Sequence, residues 1–147
     1  MRSIEATTTI AAPPEEVWKI LVDGARYGEW NPFITSLSGD ITPGSRVQVR
    51  IRPPGGRPMT FRPVVTHASL ADGLRWNGHL LIPGLCDGTH EFLLAKTSDG
   101  GTRLTQQETF RGLMVPMLGG MMKPTLLGFE AMHAALQRRV DSSAERC

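Results

Sequence analysis

Between Ile34 and Phe110 the chain repeats one pattern six times: a short run of alternating apolar and polar residues, then a cluster of turn formers. The runs begin at Ile34 and include "VQVRI" at 47–51, residues 59–67, "LRWNGHL" at 74–80, "THEFLLA" at 89–95 and "TRLTQQETF" at 102–110. Between them lie "PGS" at 43–45, "RPPGGRP" at 52–58, "ADG" at 71–73, "IPGLCDG" at 82–88 and "KTSDGG" at 96–101. Alternation of period two marks strands with one buried face. Connections this short cannot carry a parallel crossover, so the six strands form an antiparallel meander.

What flanks the meander narrows the fold further. Residues 2–10 alternate and read as one more strand. "APPEEVWKILVD" reads as a helix over Pro13–Asp23, with prolines and acids in its first turn and Gly24 at its end. The following "RYGEWNPFI" breaks at Asn31-Pro32 and places Trp30 and Phe33 at the junction, where they plug one end of the sheet as satellite-core aromatics. Residues 113–140 look helical and hold five of the seven methionines. As one straight helix they would span about 42 Å, longer than a small domain is wide. Gly119, Gly120 and Pro124 therefore predict a break or kink between 113–124 and 125–140. In the second half Leu126, Phe129, Met132, Leu136 and Val140 recur at helical spacing. Strands segregated from helices give an α+β class with the last helix covering one sheet face, in a single domain over 1–147.

Several functions are disfavoured. Net charge is +2 with no long basic run, so nucleic acid is not an expected partner. Arg46, Arg50, Arg52 and Arg62 have the parity opposite to Val47, Val49 and Ile51 and, with Arg57 of the turn, form a solvated outer face. No apolar run spans a bilayer, "MRSIEATTTI" lacks a signal-peptide core, and two cysteines, Cys86 and the terminal Cys147, do not suggest a disulfide. A cytoplasmic location fits these features. Phosphate-loop, dinucleotide, zinc-protease, paired CxxC and GxSxG motifs are missing. His67, His79, His90 and His133 lack ligand spacing, so neither a metal nor another cofactor is expected. Cys86 reads as an inert loop cysteine, and His133, one residue off the helical stripe, as a flank residue.

Strand register brings polar residues onto the apolar face. With the last hairpin centred on Asp99, Leu94 faces Leu104, Phe92 faces Gln106, and His90 faces Glu108. With the preceding hairpin centred on Gly84, Leu74 meets Leu94, Trp76 meets Phe92 and Gly78 meets His90. Both turns put His90, Gln106 and Glu108 on an otherwise apolar concave wall. His90 and Glu108 then either hold the sheet closed as a hydrogen-bonded pair or act on a ligand as anchor or acid/base. Met114, Met117, Met121 and Met122 around the kink either fill core or make an adaptable gate.

Taken in order, "EWNPFI", "LRWNGHL…PGLCDGTHEFLL", "TRLTQQETFRGLM" and "GFEAMHAALQRR" resemble the SRPBCC (START-like) superfamily, within it the polyketide cyclase/dehydrase-like group, over nearly the whole chain. The resemblance implies a helix-grip fold: a curved seven-stranded antiparallel sheet wrapped around a long C-terminal helix, with two short helices after the first strand. It also implies a cavity for a small hydrophobic, aromatic, polyketide- or lipid-like molecule. Register and helical stripe nominate Trp76, His90, Phe92, Gln106, Glu108, Phe110, Met117, Met121, Phe129 and Met132 to contact it, with His90 and Glu108 as catalytic candidates. Three readings stay open: a ligand-binding protein, an aromatase/cyclase-type enzyme, and a chaperone-activator-like interaction protein. No integral membrane association is expected, and a homodimer is compatible with the chain.

Overall fold

In the computed structural model, which describes residues 1–80 and 82–145, the chain is an α+β fold in which a long C-terminal helix lies across a curved antiparallel sheet. Cys147 lies outside the described residues. The elements are β1 (Arg2–Ile10), α1 (Pro14–Val22), a 3-10 helix (Gly24–Glu29), β2 (Ile34–Ser38), β3 (Gln48–Ile51), β4 (Met59–Phe61), β5 (Val64–Ser69), β6 (Gly73–Leu80), β7 (Cys86–Lys96), β8 (Thr102–Arg111), a second 3-10 helix (Val115–Leu118) and α2 (Gly119–Glu145). Five strands pair in the order β1-β8-β7-β6-β5, and three in the order β2-β3-β4.

The run expected as one strand at 59–67 is two, because Pro63 lacks the N–H that a ladder position needs. The chain is still stitched across this break. Val47 N donates to Pro63 O at 2.9 Å, Val65 N to Ser45 O at 2.8 Å, and Arg46 bridges Val64. Around the concave side Leu74, Phe92, Leu104, Phe129, Met132 and Leu136 are fully buried. The five arginines at 46, 50, 52, 57 and 62 are exposed.

The β7–β8 register is the expected one: Leu94 pairs with Leu104, Phe92 with Gln106 and His90 with Glu108. The β6–β7 register is shifted by two residues. Leu74 pairs with Phe92, Trp76 with His90 and Gly78 with Gly88, which centres the hairpin on Pro83 rather than Gly84. A slip of two preserves side-chain parity, so each residue keeps its face and changes only its neighbour. Trp76 thereby stacks on His90, ring centroids 5.1 Å apart and 11° between planes.

At the C-terminal end the break falls earlier than Pro124. Residues 115–118 form a separate 3-10 turn, and α2 then runs from Gly119 through Pro124 to Glu145. Pro124 is only the sixth residue of α2. The missing N–H faces Gly120, whose backbone can give way, and Thr125 donates its hydroxyl to Met121 O at 2.7 Å.

The Asn31-Pro32 junction owes its shape to Asn31. Its Oδ1 accepts from the Phe33 and Ile34 backbone N–H groups, at 2.9 and 2.8 Å, closing a side-chain turn that launches β2. Phe33 is thrown inward, edge-on to Phe129 at 5.6 Å. A Cβ on Gly128 would lie 2.2 Å from its ring, so α2 meets Phe33 through a position with no side chain. The neighbouring Tyr27 is fully buried and donates to Leu21 O at 2.6 Å.

Candidate functional site

The sheet and α2 do not close completely. Between them lies a cavity of about 90 Å³, counted as space open to the centre of a water molecule. Its walls come from Phe33 and Ile34 at the junction, Val49, Ile51, Met59 and Phe61 on β2–β4's sheet, and Leu118, Met121, Thr125 and Phe129 on the C-terminal segment. Pro63 and the five-stranded sheet add the rest, with Trp76, Gly78, His79, Cys86, Gly88, His90, Glu108 and Phe110. A second cleft of about 240 Å³, lined by Pro53, Gly56, Arg57, Gly120 and Pro124, shares Met59, Met121 and Thr125 with the first. The shared residues make this cleft the mouth of the cavity, between the 52–58 turn and the start of α2.

Of the residues nominated from sequence, Trp76, His90, Glu108, Phe110, Met121 and Phe129 line the cavity. Phe92, Gln106 and Met132 lie one layer behind, fully buried, and support the wall without forming it. The expectation for Met117 needs correcting. It sits in the 3-10 turn, 76% exposed, outside the wall, because that turn separates it from the inward face of α2. Cys86 is not a loop residue but the first residue of β7, buried at the wall. The β3–β4 hairpin adds wall residues beyond those nominated, with Val49 and Ile51 on the inward parity that the strand pattern gives them.

The polar residues form one connected chain. His90 Nδ1 lies 2.8 Å from Glu108 Oε2, His90 Nε2 3.1 Å from Gln106 Nε2, and Gln106 Oε1 2.9 Å from His133 Nε2. A carboxylate can only accept, so His90 Nδ1–H donates to Glu108 and its Nε2 lone pair accepts from the Gln106 amide. His133 Nε2–H then donates to Gln106 Oε1. These directions need no charge on either imidazole, and each of the three contacts has one donor and one acceptor. Around His90 the rings of Trp76, Phe92 and Phe129 stand 5.1, 4.8 and 5.5 Å away, so its contacts are aromatic above and polar only in the ring plane.

His133 is the member sequence reasoning missed. It is buried, not a flank residue, and burial, with His90 as a lesser cause, pushes its pKa down to about 4. A signal was present: His133 lies four residues after Phe129 and three before Leu136, on the same helical face. Among the described residues no cluster of His, Cys, Asp and Glu could hold a metal ion, and no helix is long and apolar enough to cross a membrane.

A curved antiparallel sheet gripping one long helix, with a cavity between them, defines a START-like protein. The chain belongs to the polyketide cyclase/dehydrase and lipid transport family, whose model matches residues 1–146. Among solved structures it is similar to a START superfamily protein from Mycobacterium smegmatis, with a TM-score of 0.72, 20% identity, and coverage of 95% of this chain and 97% of that one. It is also similar to DynU16 of the dynemicin biosynthetic locus, at 0.71 and 21%, covering 96% of this chain and 48% of that one. For the di-domain ARO/CYC StfQ of the steffimycin pathway the values are 0.65 and 17%, with 98% of this chain and 50% of that one covered. At these identities the likeness is one of fold. No curated protein matches the chain.

Proposed function

We propose that this protein binds a small apolar, aromatic molecule in the cavity between the sheet and α2, with Glu108 and His90 at its polar end. The observation that carries this reading is a cavity walled by aromatic and aliphatic side chains and touched by one His–Glu pair. Ligand sites of this kind are mostly apolar, with a few placed polar groups that set orientation. The volume favours a single ring. Larger ligands, including the polyketide- or lipid-like ones the family accommodates, require Met121 and the start of α2 to move outward, toward the adjoining cleft. In this reading the partner is that ligand alone, with neither nucleic acid nor cofactor, in one domain acting in the cytoplasm.

A second reading is an aromatase/cyclase-type enzyme with His90 and Glu108 as acid and base. It is supported by their 2.8 Å contact at the cavity wall and by the biosynthetic settings named for DynU16 and StfQ. Ligand binding is preferred because His90 has both ring nitrogens occupied and Glu108 alone has an oxygen to spare. The deciding experiment is a thermal-shift titration with single-ring aromatics, beside a turnover assay on a linear polyketone. Binding predicts a melting temperature that climbs with ligand concentration. Turnover falling about 100-fold in Glu108→Gln, with binding retained, would favour the enzyme. No melting shift with any ring compound at saturation in water, together with no turnover of the polyketone, would contradict both.

A further inference from the structure

The inward-facing polar side chains at the cavity wall have nearly one sign. Glu108 Oε2 is occupied by His90, while Oε1 has no hydrogen bond among the described residues and is not sealed from the cavity. It leans over Gly88, where a Cβ would lie only 2.8 Å from it. Thr125 spends its one hydroxyl hydrogen on Met121 O, which leaves lone pairs only. His90 has no nitrogen left. Reversing the Gln106 amide and protonating His90 would change the chain's direction but free no N–H toward the cavity. His79 also borders the cavity, but it has the outward parity of β6 and is exposed, so its imidazole is not among the inward-facing groups. Among the inward-facing side chains of the wall only the Cys86 thiol has a hydrogen left to donate, and it donates weakly.

Resting on the cavity-binding reading, we infer that the inward-facing side chains around Glu108 form an acceptor surface that selects ligands carrying a hydroxyl or other hydrogen-bond donor on an apolar ring, received by Glu108 Oε1, and disfavours ligands whose inner end is a carbonyl or carboxylate. An acceptor group on the ligand would be desolvated with no partner, which costs binding outright. A donor meets a carboxylate, where a hydrogen bond is at its strongest. Arg57 at the mouth leaves the outer end of a longer ligand free to carry negative charge. The selection therefore concerns the inner end, and single-ring probes isolate it.

The test is calorimetric or NMR titration at neutral pH with toluene, phenol and benzaldehyde, which have nearly one shape. The expected order is phenol tighter than toluene by roughly tenfold, a gap typical of a hydrogen bond to a charged group, and benzaldehyde weaker than toluene. In Glu108→Gln, whose amide can also donate, the phenol advantage should shrink and benzaldehyde should gain on toluene. Phenol binding no better than toluene, or benzaldehyde better than toluene in the unaltered protein, would overturn the inference while the cavity reading survives. Failure of all three probes to bind would overturn both. The order in the unaltered protein decides the matter even if the variant does not fold.

Discussion

At the residue scale, Gln106 does most to organise the interior. Its amide joins two buried histidines, one from β7 and one from α2. Gln106→Met keeps the volume but strands His133 Nε2–H and removes the donor to His90. Chemical denaturation should show a loss of about 2–4 kcal/mol, the cost of one or two unsatisfied buried polar groups. His133 also gives the protein an acid limit. Its folded pKa, about 4, lies below the ordinary histidine value of 6.5, so the unfolded chain binds the proton first as pH falls. This part of the stability is intact above about pH 6.5, declines on acidification, and levels off below about pH 4, for a total near 3 kcal/mol. Melts between pH 4 and 7 should show that slope, and His133→Gln, which can still donate to Gln106, should flatten it.

At the element scale, the contact between Phe33 and α2 fixes the helix against the sheet. Gly128→Ala gains about 1 kcal/mol of helix propensity but drives a methyl into the Phe33 ring, and overpacking costs about 1–3 kcal/mol. Net destabilisation, together with altered ligand affinity because Phe33 lines the cavity, is the expected result in melts and titrations. At the start of α2 the reverse holds. A Cβ on Gly120 meets nothing within 4 Å, and on Gly119 only Arg2 Nη1 at 3.7 Å. The double change to alanine should raise stability by about 1–2 kcal/mol. It should also slow ligand exchange in relaxation or stopped-flow measurements if this turn gates the mouth. These elements were unequally legible in the sequence. The β7–β8 register was readable because the tight 96–101 turn leaves few centres to choose from. The longer 82–88 loop does not name its centre, and the β6–β7 register came out two residues off with the correct faces. The early start of α2 was hidden because Gly119, Gly120 and Pro124 are each poor helix formers, and only their open surroundings let them form the first turns. The chain from Glu108 to His133 was half legible: pairing gave the strand members, but which helical residue reaches Gln106 depends on how α2 is rotated on the sheet.

At the scale of the whole molecule, sheet, junction and C-terminal helix together leave an apolar space that none of them encloses alone. The alternation of the strands predicted an apolar concave face. Whether that face is filled or hollow depends on side-chain volumes meeting between segments far apart in the chain, which spacing does not report. Here Phe92, Met132 and Leu136 fill the centre, and the hollow lies to one side, toward the β3–β4 hairpin and the first turns of α2. The central claim is that this hollow is a ligand site, and a two-dimensional NMR titration of the labelled protein with phenol tests it most directly. The account predicts saturable shifts of the Trp76 indole, of Gly78, Gly88 and Glu108 on the strands, and of Met121, Thr125 and Phe129 on α2, with the outer arginine face unmoved. Absence of saturable shifts, or shifts confined to the exposed surface of β3 and β4, would contradict it.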